Sequence, residues 1–566
     1  MINILKDKLK NKISQYVLDK YNLEVNVVVE QPKNLELGDI SIPVFSLLKV
    51  LKKPLPEVVE EIKDFIKSSF EEVKELSNVG GFINLKINKQ ILCQEILNNY
   101  YLNQDKIGKN DSGLGKNIVI DYSSPNIAKS FSVGHLRSTM IGNSLKLIYQ
   151  NCGYKVTGIN YLGDWGTQFG KMIVAYLKFG DKEKIQKDPI NELTKLYVDF
   201  HERAKLDPSL DDEARAAFKK LEDGDQEYLE LWKKIREDSL KESEQIYDLL
   251  HVNFDSYNGE AYYNDKMEPV VDELNQKGLL KEDQGAMIVD LGENMVPALI
   301  KRKDGGSLYI TRDLAAIFDR KRTYDFCKIL YVVGNEQKLH FEQLKRIIDL
   351  MGYDFSDQIY HINFGLVLKD GKKMSTRSGG VVKLYDVLDQ AVNLAYQQIV
   401  NKNPDLNEAK EVARKVGVGS VVFNDLKNNR TLDYEFDLDT MLKFEGQTGP
   451  YIQYTGVRIR SILEKNIFDY QNIDTSLFED DNYFELIRNI GEFNDTVLKA
   501  CQENLPSIVA RYLLNLCSLF NKFYGNVKIN SEDEKTRNTN LFICYIIRLI
   551  INEGLRLLGI EFVDVM

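Results

Sequence analysis

Between Ile118 and Leu162 the chain reads "IVIDYSSPNIAKSFSVGHLRSTMIGNSLKLIYQNCGYKVTGINYL". An apolar run is followed by a polar loop, a stretch with helical spacing of apolar residues, and a second apolar run. A strand–helix–strand crossover of this kind is almost always right-handed and lays its two strands side by side in parallel. A parallel sheet has both faces covered by helices, so this segment predicts an α/β domain with further strands to be supplied by later sequence. "AMIVDL", "SLYITRD", "KILYVVGNE" and "YHINFG" read as those strands.

The 566 residues leave room for three or four domains of ~100–200 residues each. Residues 1 to about 110 read as a compact α+β module. Leu5 to Val17 repeat at helical spacing, "EVNVVVEQP" alternates like a strand, and "GFINLKIN" reads as a second strand after a Gly-Gly turn. "KIGKNDSGLGKN" (106–117) reads as a linker. The α/β domain is expected over 111–410, with a charged helical insertion at about 180–250, and residues 411–566 read as almost wholly helical. The fold class expected is therefore multidomain α/β: a Rossmann-type parallel-sheet domain, an N-terminal α+β module and a C-terminal all-α bundle.

Several classes are excluded by what such sites require. The six cysteines lie far apart with no C-x-x-C pair, against a structural zinc and against a disulfide framework. No histidine has metal-binding spacing, so no protein-held metal is expected. The N-terminal segment carries acids throughout, unlike a signal or transit peptide. No run approaches ~18 consecutive apolar residues, so no membrane span and a cytoplasmic location are expected. The net charge of −11 does not decide for or against nucleic acid, because a basic stripe can coexist with an acidic total.

The loop after the first strand carries the chemistry. A helix starting near Val133 at the strand's C-terminal end presents unpaired N–H groups to the crevice, a general anion site. Gly134 would let a nucleotide approach the backbone, His135 could donate to a phosphate oxygen, and Lys129 adds a positive charge. An ordinary capped turn with a surface histidine accounts for the same residues. "GLVLKDGKKMSTRSGG" (365–380) is a second, basic loop, with Lys373 and Ser375 near its centre. It could stabilise charge developing on a departing pyrophosphate; a solvated hairpin is the plainer reading.

Together "SVGH" and "KMSTR" resemble the paired HIGH and KMSKS signatures of class I aminoacyl-tRNA synthetases. With "SPNIAK", "GDWGTQFG", "YITRD" and "EGQTGPYIQY", the chain is similar over nearly its whole length to the arginyl-tRNA synthetases. That resemblance implies an ATP-dependent ligase that activates L-arginine to arginyl-adenylate and passes it to the terminal ribose 2′-OH of tRNA(Arg). It implies arginine contacts from Asp121, Asn126, Tyr309, Asp313 and Gln337. It places Ser132, Gly134, His135, His340, Lys373 and Ser375 at ATP, with Lys129, His135 and Lys373 as the catalytic set. Mg²⁺ would arrive on the ATP phosphates with no dedicated protein cage. A guanidinium is planar and calls for carboxylates in its plane and an apolar face, which Asp313 and Tyr309, four apart, could offer from one side of a helical turn.

For tRNA the resemblance implies a D-loop-reading N-terminal module, with Phe82 to stack and Asn84 to hydrogen-bond a base. The C-terminal helices would bind the anticodon, with Tyr451, Gln453, Tyr454 and Arg458 on or near the first long helix. The family is usually monomeric, and so is the expectation here. The chain departs from the pattern at Ser132, which stands where the first signature His belongs, and at Thr376, which replaces the second Lys of KMSKS. Lys129 sits where arginyl enzymes are thought to compensate for that lysine. The alternative is a non-aminoacylating, tRNA-binding paralogue of the same fold, with Ser132 as the lesion.

Overall fold

The computed structural model describes residues 2–32, 34–127, 131–302, 309–374 and 382–566, except for the side chains at 2–4, 35, 190 and 242. The chain divides into two compact units, one of residues 1–108, 455–496 and 512–553 and one of 109–454, 497–511 and 554–566.

The first unit contains a three-stranded antiparallel sheet of β1 (Ile40–Pro43), β2 (Val73–Val79) and β3 (Phe82–Ile87), with β3 central. Its inner face buries Ile40, Ile42, Ile83 and Leu85 against Leu9, Ile13 and Val17 of the helix Ile2–Tyr21 and Val58, Ile62 and Ile66 of Leu55–Ser69. "EVNVVVEQP" is not a strand. It runs extended after the first helix and makes a single bridge, Glu30 to Ser41, because its alternation meets no partner edge along its length. Helices Asp481–Ile490 and most of Glu534–Leu557 belong to the same unit.

The second unit is built on a four-stranded parallel sheet of β4 (Asn117–Asp121), β5 (Lys155–Ile159), β9 (Lys328–Tyr331) and β10 (Ile359–His361), in the order β10-β9-β4-β5. Between β5 and β9 in sequence lies an antiparallel sheet of β6 (Leu280–Asp283), β7 (Ala286–Val289) and β8 (Ala298–Lys301). Strand β4 is interior to the sheet and hydrophobic between its polar ends, with Ile118, Val119 and Ile120 all buried, as a strand covered on both faces must be. The helix Val133–Asn151, here the signature helix, covers one face. Leu314, Ile317, Leu344, Ile347 and Phe355 build a core with Val119 and Ile329. Gly142 is required where it stands: a Cβ there would lie 2.3 Å from the Tyr122 side chain.

The charged stretch is helical, as its spacing predicts: Lys182–Lys187, Pro189–Leu206, Ser209–Glu222 and Gln226–Leu249. They close over Trp165, Phe169 and Phe200. "SLYITRD" is different. From Tyr309 it is a helix that continues to Tyr324, so the β-branched run misleads. The second basic loop begins as a hairpin of β11 (Val367–Lys369) and β12 (Lys372–Lys373), and β11 also pairs in parallel with β13 (Tyr434–Glu435). Among the described residues no helix is long and apolar enough to cross a membrane.

Candidate active site

The strand order reverses direction between β4 and β9, with β5 added on one side of β4 and β9 on the other, and the crevice at their C-terminal ends is where such sheets bind ligands. Register aligns Asp121 of β4 with Ile159 of β5 and Tyr331 of β9, so these three strand ends form the floor of one site. The chain leaves β4 through Ser123 and Ser124, both in left-handed backbone conformation (φ 71° and 45°). Non-glycine residues hold such angles only where the surroundings impose them. Here Ser138 Oγ accepts from the Ser123 N–H at 2.9 Å, and Ser124 Oγ donates to Asp121 at 2.9 Å.

Asp121, expected to meet the substrate guanidinium, already has a guanidinium partner within the chain. It is 2% exposed, and its second oxygen accepts from Arg320 Nη1 at 2.7 Å. Arg320 is itself buried, bonds the Tyr331 hydroxyl at 3.2 Å and lies 5.0 Å from the Tyr161 ring centroid. The pair fixes Asp121 in the floor beneath Asp313, whose charge acts on it.

Asp313 and Tyr309 lie on the first turns of the helix Tyr309–Tyr324, and Tyr309 is 67% exposed. Asp313 Oδ2 is 2.6 Å from His340 Nε2. His340 was expected beside the nucleotide. It projects from the helix Lys338–Leu350 onto the Asp313 side chain, the residue expected at the arginine side. Gln337 is exposed at the N-cap of that helix, and Asn126 bridges the backbone of Gly163, in "GDWGTQFG".

The sequence reading missed Glu260. Burial pushes its carboxyl up to about 7; Arg312, 3.5 Å away, opposes the rise, while the nearby charges of Asp313 and Asp164 add to it. A mostly buried acid with a raised pKa beside another carboxylate is the kind of group found in ligand clefts. Its position is set by Asp164, whose Oδ1 accepts from the Ala261 N–H at 2.9 Å while its Oδ2 accepts from Arg236 Nε at 2.8 Å. No motif marks Glu260; it stands more than 50 residues before Asp313 in a segment without periodicity.

Across the crevice, Gly134, Arg137, Gly334, Glu336, Phe364, Gly365 and Lys373 line a cavity of about 130 Å³. Gly134 and Lys373, from the two signature segments, therefore share one small enclosure. Ser132 is the N-cap of the signature helix and forms a reciprocal capping box with His135. Its backbone N–H donates to His135 Nδ1 at 3.0 Å, and its hydroxyl lies 3.1 Å from the same nitrogen. Lys129 and Ser375 lie outside the described residues. Among the described residues no group of three or more His, Cys, Asp or Glu is arranged to hold a metal ion.

The residues expected at tRNA fare unevenly. Phe82 is partly exposed and packs edge-on to Phe45 at 5.4 Å. Asn84 is 2% exposed, and its Oδ1 accepts from Ser41 Oγ at 2.8 Å. Gln453 is 1% exposed, and its amide donates to the Glu561 carbonyl at 2.9 Å. Both point into packed faces, which corrects their assignment as base contacts. Tyr454 is exposed, Tyr451 and Arg458 are half-buried, and Arg458 donates to Asn521 at 2.6 Å.

Comparison with known proteins accords with this geometry. Residues 96–438 match the family described as tRNA synthetases class I (R), catalytic domain; residues 3–87 match the arginyl tRNA synthetase N terminal domain, and residues 452–566 the DALR anticodon binding domain. The arginine–tRNA ligase of Enterococcus faecalis is 48% identical over 95% of both chains, and that of Ligilactobacillus salivarius 49% identical over 98% of this chain and 99% of the other. The solved arginyl-tRNA synthetase of Thermus thermophilus shares the fold, with a TM-score of 0.79 at 24% identity over 99% of this chain and 100% of that one. That of Plasmodium falciparum gives 0.77 at 25% identity, covering 99% of each. The chain belongs to the class I arginyl-tRNA synthetases, ATP-dependent ligases that join L-arginine to tRNA.

Proposed function

We propose that the crevice over β4 and β9 holds arginine on one side and ATP on the other, in the following arrangement. The substrate guanidinium lies between Asp313 and Glu260 with Tyr309 over its face, and Asn126 and Gln337 meet the α-amino and carboxylate groups. The adenine enters the cavity at Gly134, where the missing side chain leaves the backbone open. The phosphates face the helix N-terminus, His135, Lys373, Lys129 and Ser375, with Mg²⁺ arriving on the phosphates themselves. Ser132 acts on ATP through His135.

The chemistry is two in-line displacements. An oxygen of the arginine carboxylate attacks the α-phosphorus and pyrophosphate leaves. The terminal 2′-OH of tRNA then attacks the carbonyl carbon of the mixed anhydride and AMP leaves. No covalent intermediate on the chain is needed, so positioning and stabilisation of charge on the departing pyrophosphate carry the rate. Phe82, Tyr451, Tyr454 and Arg458 contact tRNA, and the enzyme works as a cytoplasmic monomer.

The observation that most supports this reading is that Gly134 and Lys373, from segments over 200 residues apart, line one cavity at the strand ends. Arginine-dependent ATP–pyrophosphate exchange with and without cognate tRNA tests it. Asp313→Asn is expected to raise the KM for arginine by about 100-fold with little change for ATP, the loss of a charged hydrogen bond. Lys129→Ala is expected to lower the exchange rate by about 100-fold while the ATP KM moves little. Wild-type exchange in either variant would remove that residue from its role.

A further inference from the structure

Arg137 stands two residues beyond His135 on the signature helix, and its charge is used by neither half of the proposed site. Its side chain is 1% exposed, and Nε lies 2.9 Å from Oδ1 of Asp425, whose side chain is fully buried near the end of the helix Ala409–Leu426. Arg137 Nη1 also donates to the Leu432 carbonyl at 2.9 Å. The guanidinium lies 5.1 Å from the Tyr434 ring centroid and 5.9 Å from that of Phe364, and the Tyr434 hydroxyl faces the same Asp425 carboxylate.

These partners lead directly to the second signature hairpin. Leu432 and Tyr434 belong to a segment laced to the stretch before the hairpin. The Gly365 N–H donates to the Arg430 carbonyl at 2.9 Å, Tyr434 N–H to Leu366 at 3.1 Å and Phe436 N–H to Leu368 at 2.8 Å. The approach is close enough that a Cβ on Gly365 would lie 2.6 Å from the Leu432 carbonyl carbon. Strand β13 pairs with β11, and β11 pairs with β12, which carries Lys373. Arg137, Phe364, Gly365 and Lys373 all line the small cavity with Gly134. A charge pair taken wholly out of water gains little net stability over apolar residues of similar volume. What it does here is join two segments at once: the guanidinium meets the Asp425 carboxylate as an ion pair outside hydrogen-bond geometry, while its Nη1 donates to the Leu432 carbonyl.

We propose that Arg137, paired with Asp425 and Leu432, is a positioning residue that couples the signature helix to the hairpin bearing Lys373 and so sets the shape of the ATP cavity. The proposal rests on reading that cavity as the nucleotide site. The test is ATP–pyrophosphate exchange with arginine and cognate tRNA, with KM determined separately for ATP and for arginine. In the double variant Arg137→Met/Asp425→Leu the buried charges are replaced by apolar groups of similar volume. A melting temperature near wild type is expected, with the ATP KM raised about tenfold and the arginine KM within about twofold. Arg137→Lys keeps the charge but loses the fork, and should show the same split in a smaller degree. It decides the matter if the double variant fails to fold. Limited trypsin digestion should cut after Lys372 or Lys373 faster in both variants, with ATP protecting less than in wild type.

Wild-type ATP KM in folded Arg137→Lys, or in the folded double variant, overturns the coupling. Gly134→Val tests the cavity separately, because a Cβ there meets only Ser132 Oγ, at 3.5 Å. An unchanged ATP KM in Gly134→Val would count against the nucleotide site itself. A raised KM there beside unchanged Arg137 variants removes the coupling alone.

Discussion

At the scale of single residues, Ser132 changes meaning. Measured against the HxGH pattern it looks like a deficit, a short hydroxyl in place of an imidazole. In the structure its backbone N–H donates to His135 Nδ1, and a backbone N–H can only donate. Nδ1 is therefore the acceptor and the ring proton sits on Nε2, which makes Nε2 the donor nitrogen of the ring. Serine is also among the best N-cap residues, and losing such a cap costs about 1 kcal/mol. Ser132→His is accordingly expected to lower stability by about that amount and to slow adenylate formation. Faster exchange in Ser132→His would mean the serine is a lesion after all. Glu260 makes the second residue-scale prediction. Its carboxyl titrates near 7 in the folded chain, so below that pH it cannot offer a charge to the guanidinium. The KM for arginine should fall as pH rises from 6 to 8, and Glu260→Gln should raise it at pH 8 and flatten that dependence. The stability effect has the opposite sign. Because the folded state holds this proton more tightly than the unfolded chain, Glu260 lowers stability as pH rises from the ordinary glutamate range to about 7. Glu260→Gln should therefore be more stable than wild type at pH 8, by about 1–3 kcal/mol before screening is allowed for. A chemical-denaturation series across pH measures it.

At the scale of elements, what was legible depended on whether periodicity alone determines the state. The signature βαβ unit and the helices over 182–249 could be read because burial on both sheet faces and on one helix stripe writes directly into residue order. "SLYITRD" was legible only in part: a helical turn joining Tyr309 to Asp313 could be read, but Ile310 and Thr311 favour a strand locally, and tertiary packing of Ile310, Thr311 and Leu314 overrides that preference from Tyr309 onward. Strand β2 went unread because its residues are mostly exposed and show no clean alternation. The site was legible where a motif is short and contiguous, as at Gly134, His135 and Lys373. It was not legible where a residue is placed by distant partners, as Asp121 is by Arg320 or Glu260 by Asp164 through the Ala261 backbone. Packing of the signature helix on β4 can be tested directly. In an ordinary helix Gly→Ala is worth about 1 kcal/mol of stabilisation. At Gly142 the added methyl would fall 2.3 Å from Tyr122, so overpacking costing about 1–3 kcal/mol should win. Gly142→Ala is thus expected to melt below wild type, and a melting temperature at or above wild type would show that Tyr122 yields freely.

At the scale of the whole molecule, a chain with 74 basic and 85 acidic residues must bind a polyanion. Net charge sets the far field, but phosphates are held by local cations, and each contact releases counterions that make binding salt-dependent. Arg458 and Arg460 share the helix Gly449–Glu464, and Arg548 is held below the usual arginine range first by burial and then by Arg460, which marks a local concentration of positive charge. Arg458 bonds Asn521 and lies 5.2 Å from the Tyr524 ring, so packing and phosphate contact are competing accounts of it. The two give different signatures. If Arg458 meets a phosphate, Arg458→Ala should raise the tRNA KM and reduce the slope of log KM against log salt by about 0.7–0.9, leaving the KM values for ATP and arginine unchanged. If it only packs, the melting temperature should fall with the salt slope unchanged, because no counterion is released at that position. Aminoacylation measured from 50 to 200 mM salt, beside thermal denaturation of the same variant, separates the two, and an unchanged slope would remove Arg458 from the tRNA-binding face.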